Sequence, residues 1–226
     1  MGYLGSKAAS GAYQKIIAAM PPHDTYIETH LGGGAVMLRK PPSLRNVGVD
    51  LDYGALRGFA SAYQLSRVEL VCFDAAKYLQ LFDFSGAGRV LIYADPPYLP
   101  GTRSSAARYR HEYTVNQHRE LIAVLRSVPA SVMISGYPSA LYDELLDGWR
   151  SVTFQVMTRG GVRTEQLWMN YPEGAAYDAA FAGENYIDRQ RIKRKAARWA
   201  ENYRAMSPAE RLAIMSALNR VDASDC

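Results

Sequence analysis

Val90-Leu91-Ile92-Tyr93-Ala94-Asp95-Pro96-Pro97-Tyr98 is the stretch whose reading decides the fold of this chain. Its first five residues are apolar and β-prone, which predicts a buried strand. Pro96 has no N–H and a fixed φ, so the strand stops there. A residue before proline is pushed away from helical geometry, so Asp95 is held extended. A carboxylate, a rigid turn and an aromatic ring therefore follow a central strand. Open α/β sheets bind their ligands at that end of the strands. An Asp-Pro-Pro turn can also do no more than end a strand, so its surroundings must decide.

Upstream, Tyr26-Ile27-Glu28 reads as a short strand. Gly32-Gly33-Gly34 reads as a turn, and a helix to about Lys40 is expected before Pro41-Pro42 ends it. Asn46 to Asp50 is a second strand, followed by a helix from Tyr53 to about Leu65. Val68 to Phe73 is a third, ending at Asp74, with a short helix to about Leu81. Glu28, Asp50, Asp74 and Asp95 thus close four successive strands and outline a pocket along one sheet edge. Asp50 follows the glycine turn by about the interval at which nucleotide-binding α/β folds place an acid for ribose hydroxyls. Asp50 and Asp74 also stand where an aspartate caps a helix. The glycines match neither a phosphate loop nor a clean Gly-x-Gly-x-x-Gly.

Downstream, Leu99 to Tyr113 is polar and irregular. Thr114 caps a helix carrying Leu121, Ile122, Val124 and Leu125. Ser131 to Ile134 is a strand and Pro138 to Leu146 a short helix. Trp149–Met157 and Thr164–Asn170 read as a strand pair. Strand and helix in alternation, then a hairpin, predict an α/β protein with a mostly parallel sheet and an antiparallel end. The remainder differs. Arg189, Arg191, Lys193, Arg194, Lys195 and Arg198 crowd one segment, with Ile192, Trp199 and Tyr203 among them. Such a run is either a solvated helix face or a phosphate-contacting surface. Ser207-Pro208-Ala209-Glu210 is a capping box that opens a last helix. The expected division is a main domain over 1–172 and a basic helical extension over 173–226.

With 48% hydrophobic residues the chain can bury a sizeable core. Its net charge of +4 favours an anionic partner, modestly. Cys72 and Cys226 give no disulfide framework, and His23, His30, His111 and His118 lack metal-ligand spacing. No apolar stretch is long enough to span a membrane. A soluble, intracellular protein without a metal is expected.

Taken in order, these motifs resemble the Dam-like adenine-specific DNA methyltransferases. Asp95-Pro96-Pro97-Tyr98 matches the family's signature, and Glu28 with Gly32-Gly33-Gly34 matches its first site. Val49-Asp50-Leu51-Asp52 is similar to its second acidic site. Gly2-Tyr3-Leu4-Gly5-Ser6-Lys7 is similar to its N-terminal segment, and Arg163 to Tyr171 to its late hairpin strand. The resemblance covers about residues 1–171 and implies a Rossmann-like class I methyltransferase fold. It implies a cytoplasmic enzyme of bacterial or phage origin that moves a methyl group from S-adenosylmethionine to the 6-amino group of adenine in duplex DNA.

The resemblance assigns Asp95, Pro96, Pro97 and Tyr98 to catalysis. It assigns Tyr3, Lys7, Glu28, His30, Leu31, Gly32, Gly33, Gly34, Asp50, Leu51, Asp74 and Asp95 to the cofactor. Two departures stand out. Thr29, His30 and Leu31 replace the family's Pro, Phe and Ala. Too few residues separate Asp74 from Asp95 to hold the family's target-recognition domain. Recognition then falls to Arg103, Arg108, Arg110 and Tyr113, to Arg191, Lys193, Arg194 and Lys195, or to a second subunit in a homodimer. Methyl transfer to RNA or to a cytosine amine, and a catalytically silent nucleic-acid-binding module, are the competing readings.

Overall fold

A computed structural model describes residues 7, 11–63, 68–99, 110–158, 161–174, 177 and 185–224. The chain divides into two compact units, Met1–Asp178 and Ala179–Cys226.

The first unit is built on a seven-stranded sheet. Its strands are β1 (Thr25–Glu28), β2 (Arg45–Asp50), β3 (Glu69–Cys72), β4 (Val90–Ala94), β5 (Ser131–Gly136), β6 (Arg150–Thr158) and β7 (Gly161–Met169). They lie in the order β3-β2-β1-β4-β5-β7-β6. The first five run parallel, and β7 is antiparallel to both β5 and β6. This is a Rossmann-like, mostly parallel α/β architecture, with the antiparallel hairpin where the sequence places it. The chain moves outward from β1 to β3 and returns to the other side of β1 as β4. The sheet's topological switch point therefore lies between β1 and β4, and the ligand crevice of such sheets opens there.

β1 and β4 are buried along their whole length, as the central strands of a sheet covered on both faces must be. Their side chains alternate. Ile27, Val47, Val49, Ile92, Val132 and Ile134 share one core cluster with Leu79, Leu121, Ile122 and Leu125. Those partners come from α3 (Ala75–Leu81) and α4 (Val115–Ser127). Each such side chain, fully buried, stabilises the fold by roughly 1.5–3 kcal/mol. Thr114 and Gln117 close a capping box on α4, as the sequence predicts. Asn170 clamps the end of β7 to β5: its Oδ1 accepts from the Val132 N–H at 2.7 Å, and its Nδ2 donates to the Ala130 carbonyl at 2.9 Å.

The segment after the glycine turn departs from expectation. Residues 35–39 form turns rather than an α-helix. Leu38 N donates to Gly34 O and Lys40 N to Val36 O, each at 3.0 Å, so a single helical turn forms. Gly34 on one side and Pro41-Pro42 on the other leave too little chain to propagate it. The remaining helices of this unit are α1 (Ala12–Ala18), α2 (Tyr53–Ala62) and α5 (Ala140–Leu145).

The second unit holds α6 (Tyr186–Ala205) and α7 (Pro208–Ser224). Ser207 and Glu210 form the expected reciprocal cap: Ser207 N donates to Glu210 Oε2 at 2.8 Å, and Glu210 N to Ser207 Oγ at 3.4 Å. No residue of α6 is buried.

Candidate active site

A cleft opens at the C-terminal ends of β1, β2 and β4, holding about 830 Å³ of space continuous with solvent. Lys7, Glu28, His30, Leu31, Gly32, Gly33, Gly34, Asp50, Leu51, Asp95, Pro96 and Pro97 all line it. Most of the residues expected at a cofactor or catalytic site are thus brought to one place. Tyr3 lies outside the described residues.

Asp50 is fixed by backbone. Its Oδ2 accepts from Gly32 N at 2.7 Å and its Oδ1 from Asp52 N at 2.8 Å. Gly32 has a φ of +49°, in the left-handed region open to glycine, and this lets its N–H turn toward Asp50. The remaining lone pairs of the carboxylate suit hydroxyl donors. Leu51 beside it is 44% exposed, an apolar surface at the cleft wall. Asp74 takes its other expected role. It is the N-cap of α3, with Oδ1 accepting from Lys77 N at 2.9 Å, and it does not line the cleft; Ala75 does.

His30 joins Thr29 Oγ1 through Nδ1 at 2.9 Å and the Tyr113 hydroxyl through Nε2 at 3.1 Å. Burial, with a smaller contribution from His118, pushes its pKa down to about 3, so the ring is neutral. Two of the expected nucleic-acid contacts, Tyr113 and Arg110, also line the cleft. Tyr113 is mostly buried (8% exposed) and packs in the core cluster while also lining the cleft. Arg110 stands at the cleft mouth, its Nη1 3.3 Å from Asp52 Oδ1. Arg103 and Arg108 lie outside the described residues.

At the end of β4, Asp95 Oδ1 takes two donors, Lys7 Nζ at 2.8 Å and Ser135 Oγ at 2.7 Å. Because Ser135 donates to Asp95, the Tyr93 hydroxyl 2.9 Å away donates to Ser135. Both of these donors reach Oδ1. Lys7 also donates to the Tyr98 hydroxyl at 2.8 Å, which in turn donates to Glu165 Oε1 at 2.7 Å. Burial alone would lower the Lys7 pKa. Asp95, Tyr98 and Glu165 outweigh it and hold the ammonium group well above its ordinary value. The Tyr98 ring stacks on Tyr137, with centroids 4.1 Å apart.

Sequence reasoning missed Ser135, Tyr137 and Glu165. For Glu165 a signal existed: it shares a strand face with Leu167 and Met169, both fully buried. An acid on such a face needs a partner.

The cleft's charges select among ligands. Lys7 is paired with Asp95, Arg110 with Asp52, and His30 is neutral. A phosphate would meet acids and already-paired cations. A cationic ligand with vicinal hydroxyls fits the acids, and its apolar part fits Leu31, Leu51 and Ala75. Among the described residues no group of His, Cys, Asp and Glu could hold a metal ion, and no helix is long and apolar enough to cross a membrane.

The exposed cations of α6 include Arg191, Lys193, Arg194 and Lys195. Arg191 pairs with Asp188 at 2.7 Å, and Arg194 donates to the Gln190 carbonyl at 3.2 Å.

No family model matches the chain, and no curated protein does. Solved structures do. A conserved hypothetical protein from Streptococcus pyogenes aligns at 14% identity over 74% of this chain and 98% of its own, with a TM-score of 0.50. An rRNA methylase from Streptococcus thermophilus aligns at 12% identity over 71% and 95%, with a TM-score of 0.49. The N-methyltransferase NodS from Bradyrhizobium japonicum WM9 aligns at 12% identity over 71% and 93%, also with a TM-score of 0.49. At 14% identity, the first likeness is one of fold alone.

Proposed function

We propose that this protein transfers a methyl group from S-adenosylmethionine to the exocyclic amine of adenine in DNA. One observation carries the reading. Asp95, at the end of β4, takes two donors on its Oδ1 and lines the cleft together with Pro96 and Pro97. The acidic cleft supports the cofactor, whose sulfonium is cationic and whose ribose carries two neighbouring hydroxyls.

S-adenosylmethionine supplies an activated methyl group when bound. The residues of the chain do the rest. Asp50 would take the ribose hydroxyls, and Leu31 and Leu51, which line the cleft, would pack on the cofactor's adenine. Asp95 Oδ2 accepts one N–H of the target amine and the Pro96 carbonyl accepts the other. Both bonds draw the amine's lone pair out of conjugation and aim it. Holding the reactants in line supplies the orientational part of the rate. The Asp95 charge stabilises the positive charge that develops on nitrogen. The proton bonded to Oδ2 is the one placed to leave once the nitrogen carries the methyl group. The base must leave the helix to reach this edge, and Tyr98, stacked on Tyr137, offers an aromatic border to it.

Asp95→Ala tests the proposal. Its effect falls mainly on the transition state, so turnover should drop by about 100- to 1000-fold, far more than cofactor affinity. The measurement is transfer of labelled methyl to duplex DNA, with RNA and adenine-free G·C duplexes run in parallel. Near-normal turnover in Asp95→Ala would sink the mechanism. Transfer to RNA alone would move the substrate while leaving the site in place.

A further inference from the structure

Glu165 reaches the site from β7 and is almost completely buried, at 3% exposure. The clamp of Asn170 on β5 and the pairing of Leu167 with Ser135 fix its position along the sheet. Its Oε1 accepts from Tyr98 at 2.7 Å. Its Oε2 makes no hydrogen bond, although the atom is buried. It lies 3.4 Å from Lys7 Nζ, an ionic contact across the back of the cleft. Lys7 is the meeting point, facing Asp95 and Tyr98 just after β4, Tyr93 on β4 and Glu165 on β7. One buried cation thus sits between two carboxylates.

We propose that Glu165 is a positioning residue for methyl transfer: it shares the Lys7 charge and locks the Tyr98 hydroxyl, so that Lys7 pins Asp95 Oδ1 without neutralising the carboxylate that faces the amine. The inference rests on the methyl-transfer reading and deepens it. With Asp95 alone, Lys7 would make a neutral pair, and a nitrogen gaining positive charge would feel little attraction. With Glu165 added the three groups carry a net negative charge, and of the two carboxylates Asp95 is the one that borders the cleft, with Lys7. Buried charges interact through a low effective dielectric, so this charge count is felt at the amine.

Glu165→Gln keeps the shape and the acceptor for Tyr98 and removes only the charge. Turnover on duplex DNA should fall roughly tenfold or more, as when a group that orients a reacting residue is lost. Cofactor and DNA affinities should stay as in wild type. NMR of isotope-labelled lysine, with the Lys7 signal assigned by its loss in Lys7→Met, should show the ammonium group titrating at a lower pH in Glu165→Gln than in wild type. Unchanged turnover with unchanged Lys7 titration overturns the proposal, as does a loss of melting temperature alone. If Glu165→Gln does not fold, Glu165→Asp takes its place. It keeps the charge, and so should keep the alkaline Lys7 titration while losing part of the turnover. A wild-type protein inactive on every nucleic acid would instead overturn the methyl-transfer reading. The Lys7 titration, which needs no substrate, then still decides what Glu165 does.

Discussion

Glu28, at the end of β1, carries a proton that an exposed glutamate would have lost. Burial first, and the Asp95 charge second, push its pKa up to about 8, against the opposing hydrogen bonds from Tyr26 and the Met37 backbone. The folded protein therefore binds a proton that the unfolded chain releases near pH 4.5. Stability falls as pH rises where the native state holds the extra proton, so the window runs from the unfolded value up to about 8. Glu28→Gln mimics the protonated form and removes this dependence. Its melting temperature relative to wild type should rise between about pH 5 and pH 8; a constant difference would mean that Glu28 titrates alike in both states. Not every such residue was open to reading from sequence. Asp95 was legible because Pro96 fixes its backbone whatever surrounds it. Glu165 was not, because its partners, Lys7 and Tyr98, are distant in the chain and meet only when β7 slots beside β5.

Among the elements, the glycine turn shows how one motif serves two ends. Gly32 turns its N–H toward Asp50, which is a matter of the site. Gly34 has a φ of +62°, and a Cβ there would stand 2.1 Å from Cε2 of Phe59, which is a matter of packing against α2. Gly34→Ala should therefore cost roughly 1–3 kcal/mol from overpacking, with backbone strain adding to it. Phe59→Leu in the same background should recover part of the loss. Chemical denaturation measures both, and an unchanged midpoint in Gly34→Ala would mean that Phe59 does not press on the turn. Strand and helix alternation was readable because hydrophobic period reports burial directly. The helix expected to Lys40 was misread because its apolar residues, Val36 and Met37, are buried by the turn itself, without a helix to carry them. Asp74 had two meanings in the sequence, and the short α3 claims it as a cap.

For the molecule as a whole, the division of labour between its units sets the remaining prediction. The first unit holds the cleft and the second carries the exposed cations of α6. If those cations meet phosphates, DNA affinity must fall steeply with salt, because each neutralised phosphate releases condensed counterions. Replacing Lys193, Arg194 and Lys195 with glutamine should reduce the slope of log affinity against log salt by about 0.9 for each phosphate no longer neutralised. Cofactor affinity should not change. A slope equal to that of wild type would make α6 a solvated helix and move DNA binding elsewhere. The sequence announced the charge of this segment but not its partner, since a solvated face and a phosphate-binding face have the same composition.

The ionic knot at the cleft joins Lys7, Asp95 and Glu165, three points spread along most of the first unit. A chain emerging from a ribosome presents Lys7 first, then Asp95, and Glu165 only when the last strand of the sheet is being made. Until then Lys7 lacks its second carboxylate, and β5 lacks the neighbour that sets Glu165 in place. On the role proposed for Glu165, the charge arrangement around Lys7 is therefore complete only once the hairpin has added its strand to the sheet.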